Sequence, residues 1–576
     1  MKESDFKTAD WMKAYRPFFF ENISDLVDIK ENTVLLCDKS RGLLTEVDLL
    51  SETTTFKKKY DINEYAAVES ICYYNGYIYS VYQNKIYVAD YYTDEEILKN
   101  EIFDSIPNCS DLTGISVTNN KIYLVTENQS ILSYDRETKE VKTIGESPGI
   151  GADDLCYFKG NLFIVDSKEQ TIYVFDLEKG EFIFDILTPF ENPTGIAGVY
   201  NDRAGKDVLY VSYARPSFKV YDSGDSEFKL NIKTPVADNF IYPLVFKYDP
   251  KKKATLSNGF LVEMYYVRKL HALPEIAEKH KSLKDIEWKI SLPIDTDRQQ
   301  VISVESIGNF EMVIEDLEEE NIKVAVFSIP EIDLENDRRV FGWKALVKVF
   351  GIKYSFKEYE MREISESEIK KYAKYLKNRK KLDMDSDYVI TAAKEAVKNL
   401  EENEKNNVIA KAKNIRDYIY EKLTYVMDRY HKGTEDVLKS GEGSCGEYLN
   451  VFLSLLRLNN IPARKFGQYK IPAYKMQAGE KSVVLSPDFN HVWLEFYVPD
   501  IGWVPLESSA DDEASSFREW AQRYFMSLSW YHLECRRGSY FEDVFEKGTD
   551  RKFNLSANDI SIKDIRFKVI SELEID

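Results

Sequence analysis

The segment GEGSCGEYLNVFLSLLRLNNIPARKFG sets Cys445 at the start of a strongly amphipathic run, with Ser444 in the N-cap position ahead of it. A helix N-terminus carries partial positive charge, which favours a thiolate over a thiol and makes the sulfur nucleophilic near neutral pH. Gly443 and Gly446 flank the cysteine and leave room for a substrate carbonyl to approach the backbone. His491 lies 46 residues further on and opens HVWLEFYVPDIGWVPLESS. There His491, Trp493, Glu495 and Tyr497 alternate as on a strand, and a second strand begins near Trp503, so the segment reads as a hairpin. Folding that hairpin brings the Glu507 carboxylate toward His491, with Asp511 and Asp512 as neighbouring substitutes. A thiol, an imidazole and a carboxylate in this relation supply a nucleophile, a general base and acid, and a group that orients the imidazole. Trp493 and Trp503 either wall the cleft beside the sulfur or fill the core.

The elements that must position these residues change character along the chain. Between about residues 24 and 235 a strand ending in aspartate recurs: LTEVD at Asp48, IYVAD at Asp90, ILSYD at Asp135, IYVFD at Asp176 and FKVYD at Asp222. The spacings of 42, 45, 41 and 46 residues match the period of a four-stranded propeller blade. Three of these marks follow a hairpin pattern, ICYYNGYIYSV from Ile71, ISVTNNKIYLV from Ile115 and LCYFKGNLFIV from Leu155. The expectation for residues 1–250 is therefore an all-β propeller of five or six blades, the sixth built from the segment around Phe18 to Phe20 with an Ile241 to Tyr248 strand. Longer alternating strands over 255–362 predict a β-sandwich. Helical spacing over 366–381, 387–400 and 406–430 then leads into residues 363–576, which hold the cysteine and histidine. The basic run from Lys370 to Lys381 falls in the first of these and reads as a solvated helix face.

Four ordered motifs in that last region resemble the transglutaminase-like superfamily: Gly443 to Tyr448, Ile461 to Arg464, His491 to Glu495 and Gly502 to Pro505. The resemblance spans roughly residues 280 to 540 and leaves the repeats outside it. It implies an α+β papain-like domain in which Cys445 attacks an amide carbonyl and the thioester is resolved by water or an amine. It carries over Cys445 and His491 directly. At the third position the family usually has aspartate, and here stands Glu507, one methylene longer. No family-like glutamine precedes Cys445; Lys439 and Ser440 occupy the segment from which a second oxyanion donor would come.

Composition limits the rest. A net charge of −21, from 98 acidic and 77 basic side chains, repels a phosphate backbone and argues against nucleic acid. The sequence shows no apolar run of membrane-spanning length and no apolar leader, which predicts a cytoplasmic chain with no membrane span. The six cysteines (37, 72, 109, 156, 445 and 535) form no CxxC pair, so neither a disulfide framework nor a zinc site is indicated, and no metal or other cofactor is expected. Cys72 and Cys156, at equivalent repeat positions, read as small apolar groups, and His532 with Cys535 as structural. His431 shows no catalytic pattern around it. The expectation is a thiol hydrolase acting on a peptide or side-chain amide, with the propeller recruiting the protein substrate or a protein partner. A catalytically silent binding scaffold and a crosslinking acyltransferase are the alternatives.

Overall fold

Four of the five strand–aspartate marks close the third strand of a four-stranded antiparallel sheet. The computed structural model describes residues 9–575 apart from 10, 19, 60–67, 83, 94–95, 100–111, 216–219, 222–231, 234–237, 318–321, 357–360, 427–432, 472–480, 486–489, 513–520, 538–540 and 550. The first sheet is built from Ile23–Lys30, Thr33–Asp38, Leu43–Asp48 and Thr54–Lys59, in sequence order. Three more follow, opening with Ser70–Tyr74, Leu112–Val117 and Ala152–Phe158. The aspartates recur for a local reason: each carboxylate accepts from the backbone N–H groups two and three residues on. Asp48 takes Leu50 and Ser51 (3.0 and 2.7 Å), and Asp176 takes Glu178 and Lys179 (2.9 and 3.0 Å). The first two strands of the second and fourth sheets are joined at Asn75-Gly76 and Lys159-Gly160, four residues at positive φ, as a tight hairpin turn demands.

The fifth sheet departs from the pattern. It has three strands, Pro193–Asn201, Lys206–Arg215 and Asp238–Leu244. Asp222 lies outside the described residues, and the adjoining Val220–Tyr221 pairs with Ile232–Lys233 rather than joining this sheet. The expected sixth unit does not form from the segments proposed for it. Asp238–Leu244 belongs to the fifth sheet, where Tyr15 also bridges to Ile241, while Phe246–Asp249 turns away to pair with Ala254–Leu270.

Hydrogen bonds link each sheet to the next. Ile71 N–H donates to Asp25 Oδ2 (2.7 Å), Ile115 N–H to Ser70 Oγ (3.1 Å), Tyr157 N–H to Ser116 Oγ (2.9 Å) and Ile196 N–H to Asp154 Oδ2 (3.0 Å). From the fifth sheet the series returns to the first, where Asn32 N–H donates to Tyr200 O (2.9 Å). Each sheet is itself open; none closes through strand pairing.

The middle of the molecule is two larger antiparallel sheets sharing one core. The seven-stranded sheet runs Gln299–Gly308, Val340–Tyr354, Ala254–Leu270, Ser561–Leu573 and Ser482–Leu485, with two short strands attached. The four-stranded sheet runs Met312–Leu317, Ile322–Asp333, Ser282–Ser291 and Glu542–Glu546. Trp288 and Phe341 meet across the gap in an edge contact with ring centroids 5.0 Å apart. The boundaries drawn from sequence split this unit. Ser561–Leu573 and Glu542–Glu546, assigned to the C-terminal region, complete the middle sheets, because alternation marks a strand without naming its partner.

The helices are shorter than their periodicity suggests: Asp387–Glu395, Val408–Lys422, Thr434–Ser440 and Cys445–Leu458. The last packs on a four-stranded sheet ordered Gly502–Leu506, Asn490–Val498, Ala463–Lys470 and His532–Arg537. The N-terminal sheets are seated on this part through the Gln522–Trp530 segment. Tyr524 Oη donates to Gln170 Oε1 (2.9 Å), Trp530 Nε1 to Pro189 O (3.0 Å) and Gln522 N–H to Glu169 Oε2 (2.5 Å).

Candidate active site

Ser444 occupies the N-cap of the Cys445–Leu458 helix with extended φ and ψ, and its N–H donates to Glu447 Oε2 (3.1 Å). The serine hydroxyl bonds to the same carboxylate, so the sequence Ser-x-x-Glu fixes where the helix begins. That places Cys445 at the first helical position, half-buried. The Gly443 backbone pairs in parallel with Tyr425, and Val426 N–H donates to Gly443 O (2.9 Å), which holds the approach to the helix rigid.

His491 enters from the neighbouring sheet, opposite Gln468 in the register of Asn490–Val498 with Ala463–Lys470. Its Nε2 bonds to Glu507 Oε1, and the ring lies close enough to the Cys445 thiol for each group to shift the other's titration. Glu507 is almost fully buried, and its second oxygen accepts from the N–H groups of Ser509 (2.8 Å) and Ala510. The extra methylene relative to aspartate is thus absorbed by a turn that folds back over the carboxylate. Ser508, buried beside it, donates to Val492 O (2.9 Å) and reaches Cys445 O (3.4 Å), stitching the Cys445 helix to the His491 strand.

These contacts set the charges. Burial pushes the Cys445 thiol up, but hydrogen bonding to His491, the imidazolium charge and the Val492 N–H outweigh it and leave the thiol below its ordinary value. Burial pulls His491 down, and the Glu507 charge with the hydrogen bonds to Cys445 and Glu507 raises it to about 9. Burial alone would raise Glu507, yet the His491 charge and hydrogen bond hold it down at about 2. The arrangement favours thiolate, imidazolium and carboxylate together.

The remaining sequence-picked residues fall in different places. Asp511 accepts from Tyr524 N–H (2.9 Å) and Arg523 Nε (3.0 Å), and Asp512 accepts from Tyr448 Oη (2.6 Å), so both hold the fold around the site. Gly446 has open space where a Cβ would project, whereas a Cβ on Gly443 would meet Glu447 Cβ at 2.7 Å, so its lack of side chain serves packing. Trp493 is fully buried between Phe466 and His532, with its ring centroid 6.2 Å from that of His491. Trp503 lies under the Arg464 guanidinium, 4.1 Å from its ring centroid, and lines a cavity of about 370 Å³ that touches neither Cys445 nor His491. Arg464 pairs with Glu495 (2.6 Å) and supports the sheet. Lys439 pairs with Glu435, and the Ser440 hydroxyl bonds to Val437 O (3.0 Å), so neither faces the sulfur.

Tyr425, which the sequence did not single out, lies near the sulfur: burial first and the Cys445 charge next push its hydroxyl up to about 12. His532 is buried, has no hydrogen-bond partner among the described residues at either ring nitrogen, and lies 6.4 Å from the His491 ring. Cys535 Sγ packs 3.6 Å from Met264 Sδ. Cys72 accepts from Val117 N–H (3.3 Å), and burial holds its thiol up at about 12. Cys109 and His431 lie outside the described residues. No helix among the described residues is long and apolar enough to cross a membrane.

Residues 394–508 match the family model of the transglutaminase-like superfamily, a span that includes Cys445, His491 and Glu507. No curated protein matches the sequence closely enough to serve as a relative. Among solved structures, one described as a putative cysteine protease from Cytophaga hutchinsonii is similar at 15% identity, covering 55% of this chain and 100% of that one with a TM-score of 0.37. A calcium-binding regucalcin from Agrobacterium tumefaciens is similar at 12% identity over 41% of this chain and 94% of its own (TM-score 0.27). A glutaminyl cyclase from Myxococcus xanthus is similar at 10% identity over 35% and 89% (TM-score 0.27). Likenesses with TM-scores this low carry no inference about activity.

Proposed function

We propose that this chain, which carries a transglutaminase-like domain over residues 394–508, is a thiol-dependent hydrolase of peptide or side-chain amides. The observation that carries the reading is the bond from His491 to the buried Glu507 carboxylate, set beside a Cys445 thiol that the His491 charge holds below its ordinary value. Cys445 as thiolate attacks the amide carbon, and His491 gives its proton to the leaving amine as the C–N bond breaks. The acyl group is then a thioester on Cys445. His491, now neutral, takes a proton from water, the hydroxide adds to the thioester carbon, and the acid leaves with the thiol regenerated. The Cys445 N–H serves as one donor to the developing oxyanion, and the Tyr425 hydroxyl, which lies near that sulfur, is the candidate for the second.

Within this proposal the catalytic part has a papain-like α+β fold, the two middle sheets form a β-sandwich and the N-terminal sheets form a five-bladed propeller that recruits a protein or peptide partner. The propeller reading is supported by the hydrogen bonds that step from each sheet to the next and return from Tyr200 to Asn32. Its recruiting role is supported by the fixed seat it has against Gln522–Trp530, close to Glu507 in the chain.

The test incubates the full-length protein and its Cys445→Ala variant with a mixed peptide pool, with a dansylated primary amine added to a parallel sample. New peptide termini or deamidated side chains that require Cys445 support hydrolysis. Amine incorporation in their place would make the protein an acyltransferase, and identical pools from both proteins would leave a binding scaffold.

A further inference from the structure

The basic run near Lys370 to Lys381 does not form the solvated helix face that its periodicity suggests. The helix stops at Lys371, a short 3-10 turn covers Ala373–Tyr375, and Arg379 to Lys381 sit on an irregular turn that faces the nucleophile helix. This turn is held in place. Arg457 Nη1 donates to Lys377 O (2.7 Å) and Ser454 Oγ to Leu382 O (2.7 Å), both from the Cys445–Leu458 helix, and Thr434 Oγ1 donates to Lys381 O (3.0 Å). Lys381 and Asp383 adopt φ of 75° and 48°, a region disfavoured for residues with a Cβ and kept only where surrounding bonds impose it.

We propose that the cavity of about 270 Å³ between this turn and the nucleophile helix is a subsite for the carboxylate side chains of an acidic peptide substrate. The proposal deepens, and rests on, the thiol hydrolase reading. Among the described residues, Arg379, Lys380, Lys381, Arg457, Arg464 and Lys465 line the cavity, with Glu447 as the one acid in its lining. Glu447 is already engaged by Ser444, and Arg464 is already answered by Glu495. Arg457 is 7% exposed, and its guanidinium bonds to the carbonyl oxygens of Ala463 and Lys377. Burial and the Arg379 charge pull it down to about 10, as expected of a buried cation facing another cation.

This concentration of positive charge stands out in a chain of net charge −21. The wider negative field is screened beyond roughly 8 Å at physiological salt, so the lining governs what binds at contact. The cavity wall includes Gly446, next to the nucleophile, where the missing side chain leaves open space. A peptide held at Cys445 can therefore set a neighbouring Asp or Glu among these cations, where guanidinium groups bind carboxylates in a fork.

The test uses full-length protein with Cys445→Ala to prevent turnover, and two fluorescein-labelled peptides identical except that the glutamates of one are glutamines in the other. Fluorescence anisotropy should show the glutamate peptide binding on the order of tenfold tighter at low salt, with the advantage shrinking as salt is added. The double variant Arg379→Glu, Lys380→Glu changes two exposed side chains and should abolish or invert that preference. Equal binding of the two peptides, or a preference that survives the double reversal, would overturn the proposal. Thiol labelling of unmodified Cys445 separates it from the reading beneath it. An ordinary thiol with the glutamate preference intact would sink the hydrolase and keep the subsite; an activated thiol with no preference would do the reverse.

Discussion

The N-terminal sheets and the region around Cys445 each bury carboxyl groups, and the two places shift their titration in opposite directions. Asp25 is 1% exposed and accepts from Leu26 N–H, Ile71 N–H and Ser70 Oγ, the last shared with Asp154. Burial nevertheless pushes Asp25 up to about 7, and Asp154 beside it well above its ordinary value. Glu507 is 2% exposed, with fewer neutral donors, and is held at about 2. What differs is the partner. The aspartates face one another, so one ionised group disfavours the other, whereas Glu507 faces an imidazolium. Hydrogen bonds from neutral groups do not offset burial at Asp25, whereas the facing imidazolium more than offsets it at Glu507.

The largest effect should come from removing the charge while keeping the shape. Glu507→Gln leaves His491 without its countercharge and should lower turnover by about 10³–10⁴-fold in a peptide hydrolysis assay, the scale seen when the acid of a triad is neutralised. Near wild-type turnover would mean that Glu507 has no orienting role. The same variant sharpens the comparison by pH. The carboxyl of Glu507, lowered to about 2, contributes stability that is present above about pH 4.3 and lost as pH falls toward 2. His491, raised to about 9, contributes stability that is present below about pH 6.5 and lost as pH rises through 9. Thermal unfolding should therefore show the greatest gap between wild type and Glu507→Gln from about pH 4.3 to 6.5.

Asp25 should behave in the opposite sense. Its raised carboxyl keeps a proton in the fold that the unfolded chain has lost, so its contribution is present below about pH 3.9 and disappears as pH rises through 7. Asp25→Asn should flatten the decline in melting temperature across that interval by about a few degrees. An unchanged slope would show that the pair is ionised. The smallest effect is expected at the seat between the two regions. Tyr524→Phe removes the hydroxyl that bonds to the buried Gln170 and should cost about 1 kcal/mol in denaturant unfolding.

How much of this could be read in advance depended on whether a residue acts through its neighbours in sequence or across the fold. The aspartate marks of the repeat were legible because each binds N–H groups two and three residues on, a local constraint that fixes the spacing. Cys445 and His491 were legible because a helix start and an alternating strand position them. Ser508 and Tyr425 escaped, since one bonds to carbonyls on two other elements and the other reaches Cys445 through a two-residue parallel pairing. Neither leaves a spacing to detect. The sequence also mistook the Arg379 to Lys381 turn for helix, because periodicity cannot register bonds from Ser454 and Arg457 that hold the turn in another shape. The C-terminal strand was misplaced for the related reason that its partner, Ala254–Leu270, lies some 300 residues away in the chain.

The most direct test of the central claim is the pH dependence of iodoacetamide labelling at Cys445, located by peptide mapping, in the native protein and in His491→Ala. The account predicts rapid, selective labelling well below the unperturbed thiol value of about 8.5, lost in the variant. Labelling that follows an ordinary thiol titration, or that is indifferent to His491, would contradict it.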